Sequence, residues 1–118
     1  MLPILDFSVN IYIKDKLNLM PIDYTKYSDS QLIILLNEKS PLRDIAFDTL
    51  FNRYSYKLNA YCQFKTESKF DSEEIFEETW LKVLKQIEKG KMIDNLLPYL
   101  FSTARTLAID KYRQKKNK

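Results

Sequence analysis

Gly90 is the only glycine in the chain, and this scarcity constrains the fold more than any other feature. Glycine takes a positive φ without strain, so one glycine and four prolines supply few of the tight turns that β-rich architectures need. Helices need fewer such turns, and an all-α fold is the expectation. A length of 118 residues suits one domain with a modest core. Hydrophobic residues at 45% and charged residues at 30% give the balance of a globular chain rather than a disordered one. Histidine is absent, which removes the commonest general base and the commonest metal ligand together. A single Cys62 forms no internal disulfide and no thiolate-rich metal site, and it fits a reducing compartment. No run approaches the roughly 20 apolar residues of a membrane span, and no basic-then-apolar leader opens the chain. No cofactor is expected.

Start and stop signals mark four helical segments. The first begins at Ser28, where Ser28 and Gln31 have capping-box spacing; Leu32, Leu35 and Leu36 share a face and Pro41 is expected to end it. A second helix near 43–65 carries Phe47, Leu50, Phe51, Tyr54, Leu58, Tyr61 and Cys62 at core spacing. For the third, Asp71 is the expected N-cap, with Glu74 completing a box and Phe70 and Ile75 forming a staple. Ile75, Phe76, Thr79, Trp80, Val83, Leu84 and Ile87 form its inner face, and Gly90 suits a left-handed cap at its end. After a linker, Lys89 to Asn95, the fourth helix runs from about Leu96 into the basic tail. Leu97, Leu100, Phe101, Ala104, Leu107 and Ala108 make its inner face, and Pro98 is tolerated in its first turn.

Residues 1–27 read as a non-helical N-terminal extension ahead of a helical domain over 28–118. Phe7, Val9, Ile11 and Ile13 alternate with polar residues, a strand signal with no second strand to pair with. The extension is either dispensable or a partner-docking segment.

The net charge of +3 conceals strong sorting. Asp71, Glu73, Glu74, Glu77 and Glu78 give a local −5 with no cation, whereas six cations against Asp110 over 105–118 give +5. Such polarity points to partners of opposite sign. Glu74, Glu77 and Glu78 have helical spacing, but a di-metal carboxylate site needs histidines and a second acidic helix. A solvated helix start and a docking face for a basic partner both fit the run. On the fourth helix, Ser102, Arg105, Thr106, Ile109, Arg113 and Lys116 share one face opposite Leu100, Ala104 and Leu107. That pattern suits nucleic acid, with cations on phosphates and polar groups near bases. Arg105 also suits a pair with a carboxylate of a neighbouring helix, and the final lysines suit the helix dipole and solubility. Tyr99 and Tyr112 flank the stripe, where either burial or base stacking fits. No acid–base or nucleophile constellation exists, so an enzyme is not expected.

These segments resemble region 2 of the extracytoplasmic-function (ECF) group of bacterial sigma factors, across about 28–116. The resemblance rests on Ser28-Asp29-Ser30-Gln31-Leu32, on Ala46-Phe47-Asp48-Thr49-Leu50-Phe51-Asn52-Arg53-Tyr54, and on Asp71-Ser72-Glu73-Glu74-Ile75-Phe76-Glu77-Glu78-Thr79-Trp80. Its last piece is Pro98-Tyr99-Leu100-Phe101-Ser102-Thr103-Ala104-Arg105-Thr106-Leu107-Ala108-Ile109-Asp110-Lys111-Tyr112-Arg113. It implies a compact three- to four-helix domain in the bacterial cytoplasm that serves transcription initiation. It assigns Glu73, Glu74, Glu77, Glu78 and Thr79 to the clamp helices of the RNA polymerase core, with Trp80 turned inward. It assigns the −10 promoter element and the melted non-template strand to Lys89, Lys91, Asp94 and Asn95 of the linker and to Arg105, Thr106, Ile109, Arg113 and Lys116. An anti-sigma factor is a further implied partner. Thr106 and Glu77 depart from the family's usual asparagine and glutamine. The family's second domain, which reads the −35 element, has no counterpart before Lys118, which implies either a truncated chain or a stand-alone module that works with a separate partner. The other class of reading is a sigma-like adaptor or decoy that binds polymerase or an anti-sigma partner without opening promoters.

Overall fold

The computed structural model describes residues 22–117. Within them lie a 3-10 turn at Tyr24–Lys26 and four helices: α1 (Asp29–Leu36), α2 (Leu42–Lys65), α3 (Lys69–Glu88) and α4 (Leu96–Lys116). The described residues form no strand, in agreement with the all-α expectation. The alternation over 7–13 lies outside the described residues.

Local chemistry explains most helix ends. Ser28 caps α1 as its spacing predicts: its hydroxyl accepts from the Gln31 amide at 3.2 Å, and the Gln31 side chain accepts from the Ser28 amide at 3.0 Å. α1 stops at Leu36 rather than at Pro41. The Asn37 and Glu38 amides turn back to the Ile34 and Leu35 carbonyls, closing the last turn in 3-10 fashion before the proline is reached. Gly90 behaves as expected. With φ +99°, its amide bonds the Ile87 carbonyl at 2.9 Å, while the Lys91 amide bonds the Gln86 carbonyl at 3.0 Å. These are the two bonds of a Schellman motif.

The start of α3 corrects the sequence expectation. Ser68, not Asp71, is the N-cap, its hydroxyl accepting from the Asp71 amide at 3.1 Å. Asp71 thus lies inside the first turn and is buried. Phe70 is 73% exposed and staples nothing to Ile75. The physical reason is tertiary: winding the helix one turn earlier delivers Asp71 to two lysines of α4.

α3 packs antiparallel to both α2 and α4. Against α2, Phe51 meets Phe76 with ring centroids 5.9 Å apart, and Phe47 meets Trp80 at 5.8 Å, both edge-to-face. Trp80 is turned inward, as expected. Against α4, contacts run from Glu74–Lys111 to Asp71–Lys115. α1 buries Leu32, Ile33, Leu35 and Leu36 and joins the same core as Leu50, Leu58, Val83, Ile87, Leu96 and Leu100. Burial holds the Cys62 thiol up at about 11, so it is protonated and unreactive near neutrality.

Candidate nucleic-acid and protein interfaces

A buried polar hub sets where α4 begins. Asp29 is 6% exposed, and its carboxylate accepts from Arg53 Nη1 at 2.8 Å and from the Tyr54 hydroxyl at 2.6 Å. Its other claimant is the Leu96 amide, at 2.8 Å. Leu96 opens α4, and the adjacent Asn95 makes no side-chain cap bond, so Asp29 caps α4 from another helix. Arg53 also donates to the Thr25 and Tyr27 carbonyls, at 3.1 and 2.9 Å, which draws residues 25–27 onto α2. Burial, reinforced by the Asp29 carboxylate, raises the Tyr54 phenol to about 12. Sequence spacing gave no sign of this hub, because residues 29, 53 and 96 are brought together only by the fold.

The acidic and basic blocks largely meet each other. Lys111 reaches Glu74 at 2.7 Å and Asp71 at 3.8 Å, and Lys115 hydrogen-bonds Asp71. The Lys115 hydrogen bond is the main cause holding the Asp71 carboxyl below its ordinary range, and the Glu74 hydrogen bond holds Lys111 above its own. Glu74, expected on a docking surface, is therefore engaged within the domain. Thr79 is a plainer correction: it is fully buried and its hydroxyl donates to the Ile75 carbonyl at 2.7 Å, so no partner reaches it. Glu73 and Glu77 are exposed and Glu78 is half-buried.

Beside Glu73 and Glu77 opens an apolar hollow of about 510 Å³, walled by Phe47, Phe51, Phe76, Trp80 and Leu81. The outer surface of α3 thus combines carboxylates with accessible aromatic edges.

On α4, Ser102, Arg105, Thr106, Ile109, Arg113 and Lys116 are all solvent-exposed on one face, as the spacing predicts. Thr106 donates to the Ser102 carbonyl at 3.1 Å. Among the described residues no ion pair engages Arg105, Arg113 or Lys116, so Arg105 does not take the interhelical role; Lys111 and Lys115 do. The linker is pinned by buried Ile93 and exposes Lys89, Met92, Asp94 and Asn95. Lys91 is exposed but folds its ammonium over the Tyr99 ring at 4.7 Å.

The described helices thus present two surfaces of opposite sign, a cationic stripe on α4 and an acidic, aromatic face on α3. Residues 50–118 match the Sigma-70 region 2 family, and the chain belongs to that family. Its domains serve transcription initiation by binding polymerase and promoter DNA, not by catalysis. Searches of curated proteins and of solved structures return no match. No described helix is long and apolar enough to cross a membrane.

Proposed function

We propose that this chain is an ECF-type sigma region 2 module that binds the −10 promoter element on the outer stripe of α4. In the same reading it docks on the polymerase clamp helices through Glu73, Glu77 and Glu78 of α3. The observation that carries the DNA half is selective neutralisation. α4 spends Lys111 and Lys115 on α3 carboxylates yet leaves Arg105, Arg113 and Lys116 unpaired on its solvent face, among the described residues. Unpaired cations on one rigid face suit phosphates at helical spacing, with Thr106 and Ser102 between them as hydrogen-bonding groups. The linker residues Lys89, Asp94 and Asn95 complete the surface at the other end of α4.

Binding of labelled single-stranded and duplex oligonucleotides across a salt series tests this. The Arg113→Ala, Lys116→Ala double variant is expected to bind single strands about tenfold more weakly, with the salt slope reduced by roughly 1.4, about 0.7 per phosphate contact. Wild-type affinity and slope would transfer the chain to the adaptor reading, in which it binds polymerase or an anti-sigma partner without holding promoter DNA.

A further inference from the structure

A second hollow, of about 280 Å³, lies between the C-terminal ends of α2 and α4. Lys65 and Thr66 line it from the α2 side, Ala108, Tyr112 and Lys116 from α4. Glu67 also lines it, as do Asp71, Lys111 and Lys115, whose charges are already matched to one another and to Glu74. Lys65 and Lys116 are exposed and take part in no ion pair among the described residues. The Lys65 ammonium is held over the ring faces of Tyr61 and Phe64, at 5.6 and 5.3 Å from their centroids. Such contacts hold the cation in place while leaving N–H groups to donate. Tyr112 is 58% exposed, so its ring is available to a planar ligand.

We infer that this hollow carries the DNA surface of α4 across to α2. Lys65 and Lys116 share a backbone phosphate there, and Tyr112 packs on the adjoining nucleotide. The inference rests on the DNA reading of α4, and the connection is physical: Lys116 belongs to both the stripe and the hollow, and Tyr112 adjoins Arg113. An anionic polymer leaving the stripe beyond Lys116 meets Lys65 next. An acidic peptide would also satisfy the lysines, but a nucleic acid sets an aromatic base beside every phosphate, which uses the exposed phenol ring and favours nucleic acid.

The test uses the full chain and a fluorescein-labelled mixed-sequence oligonucleotide, single-stranded and duplex, read by anisotropy over a salt series. Lys65→Ala should weaken binding about threefold to tenfold and reduce the single-strand salt slope by roughly 0.7. Tyr112→Ala should weaken single-strand binding at least about fivefold with the slope unchanged, because it removes stacking and no charge. Lys82→Ala, an exposed lysine elsewhere on α3, should leave both quantities at wild type. If Lys65→Ala matches Lys82→Ala while Arg113→Ala with Lys116→Ala still weakens binding, the hollow is overturned and the α4 reading stands. If Arg105→Ala with Arg113→Ala, which leaves Lys116 in place, binds normally while Lys65→Ala and Tyr112→Ala do not, the α4 reading falls and the hollow survives as a separate site. Displacement of the oligonucleotide by polyglutamate as readily as by unlabelled oligonucleotide would overturn nucleic acid as the occupant.

Discussion

A carboxylate offers about four acceptor positions, and Asp29 commits its own to Arg53, Tyr54 and the Leu96 amide. Cutting the side chain back removes an acceptor from all three donors, of which the Leu96 amide is buried and the Arg53 and Tyr54 groups are half-buried. Asp29→Ala is therefore expected to cost about 3 kcal/mol, read as a fall in the urea midpoint without a change in the slope of the transition. The figure sits low in the range for a broken buried pair because Arg53 keeps the Thr25 and Tyr27 carbonyls. Tyr54 reports on the same site. Its folded-state value is raised, so its contribution to stability is complete below the ordinary tyrosine value near 10 and fades as pH rises towards about 12. Ultraviolet titration should show a late-ionising tyrosine that Tyr54→Phe removes. None of this was legible beforehand, because an aspartate in the first turn of a helix has an adequate local explanation in the dipole alone.

At the scale of the helix, α3 shows both what spacing reveals and where it misleads. Its end was legible in Gly90, since a lone glycine just past the last apolar position has one conformational use. Gly90→Ala places a Cβ in open space but leaves φ at +99°, so the cost is backbone strain of about 1–2 kcal/mol, measurable as a lowered thermal midpoint. Its start was misread because Asp71-Ser72-Glu73-Glu74 satisfies the local capping rule as well as Ser68 does. Burial of Asp71 against Lys115 and Lys111 decides the matter, and no window of neighbouring residues contains those lysines. The Asp71 carboxyl is held below its ordinary value, chiefly by Lys115, so its stabilising effect is present above that value and lost as pH falls through the lower one. Asp71→Asn should thus be less stable than wild type at neutral pH, with the gap closing below about pH 4. A gap of constant size down the acid limb in urea titrations would remove the ion pair as its source.

Across the whole molecule, the separation of charge seen along the chain is partly undone in space. Antiparallel packing of α3 on α4 sets Asp71 and Glu74 against Lys115 and Lys111, and the charge that remains outward is smaller and better defined. For the proposed polymerase dock this selects which residues to test. Reversing Glu74 would place a cation against Lys111 and disturb packing, whereas Glu73 and Glu77 face solvent. Glu73→Lys with Glu77→Lys should lower retention of polymerase core on the immobilised chain at least tenfold while circular dichroism stays unchanged. Undiminished retention would remove the acidic face as the dock. By itself, the sequence determined the helical class, the caps at Ser28 and Gly90 and the outward stripe of α4. Those features follow from backbone freedom and from periodicity within one helix. Only the tertiary structure decided that Asp29 caps α4, that Thr79 is sealed in the core, and which charges are left for a partner. Pairing between helices depends on residues far apart in the chain, whose meeting is fixed by packing and not by spacing.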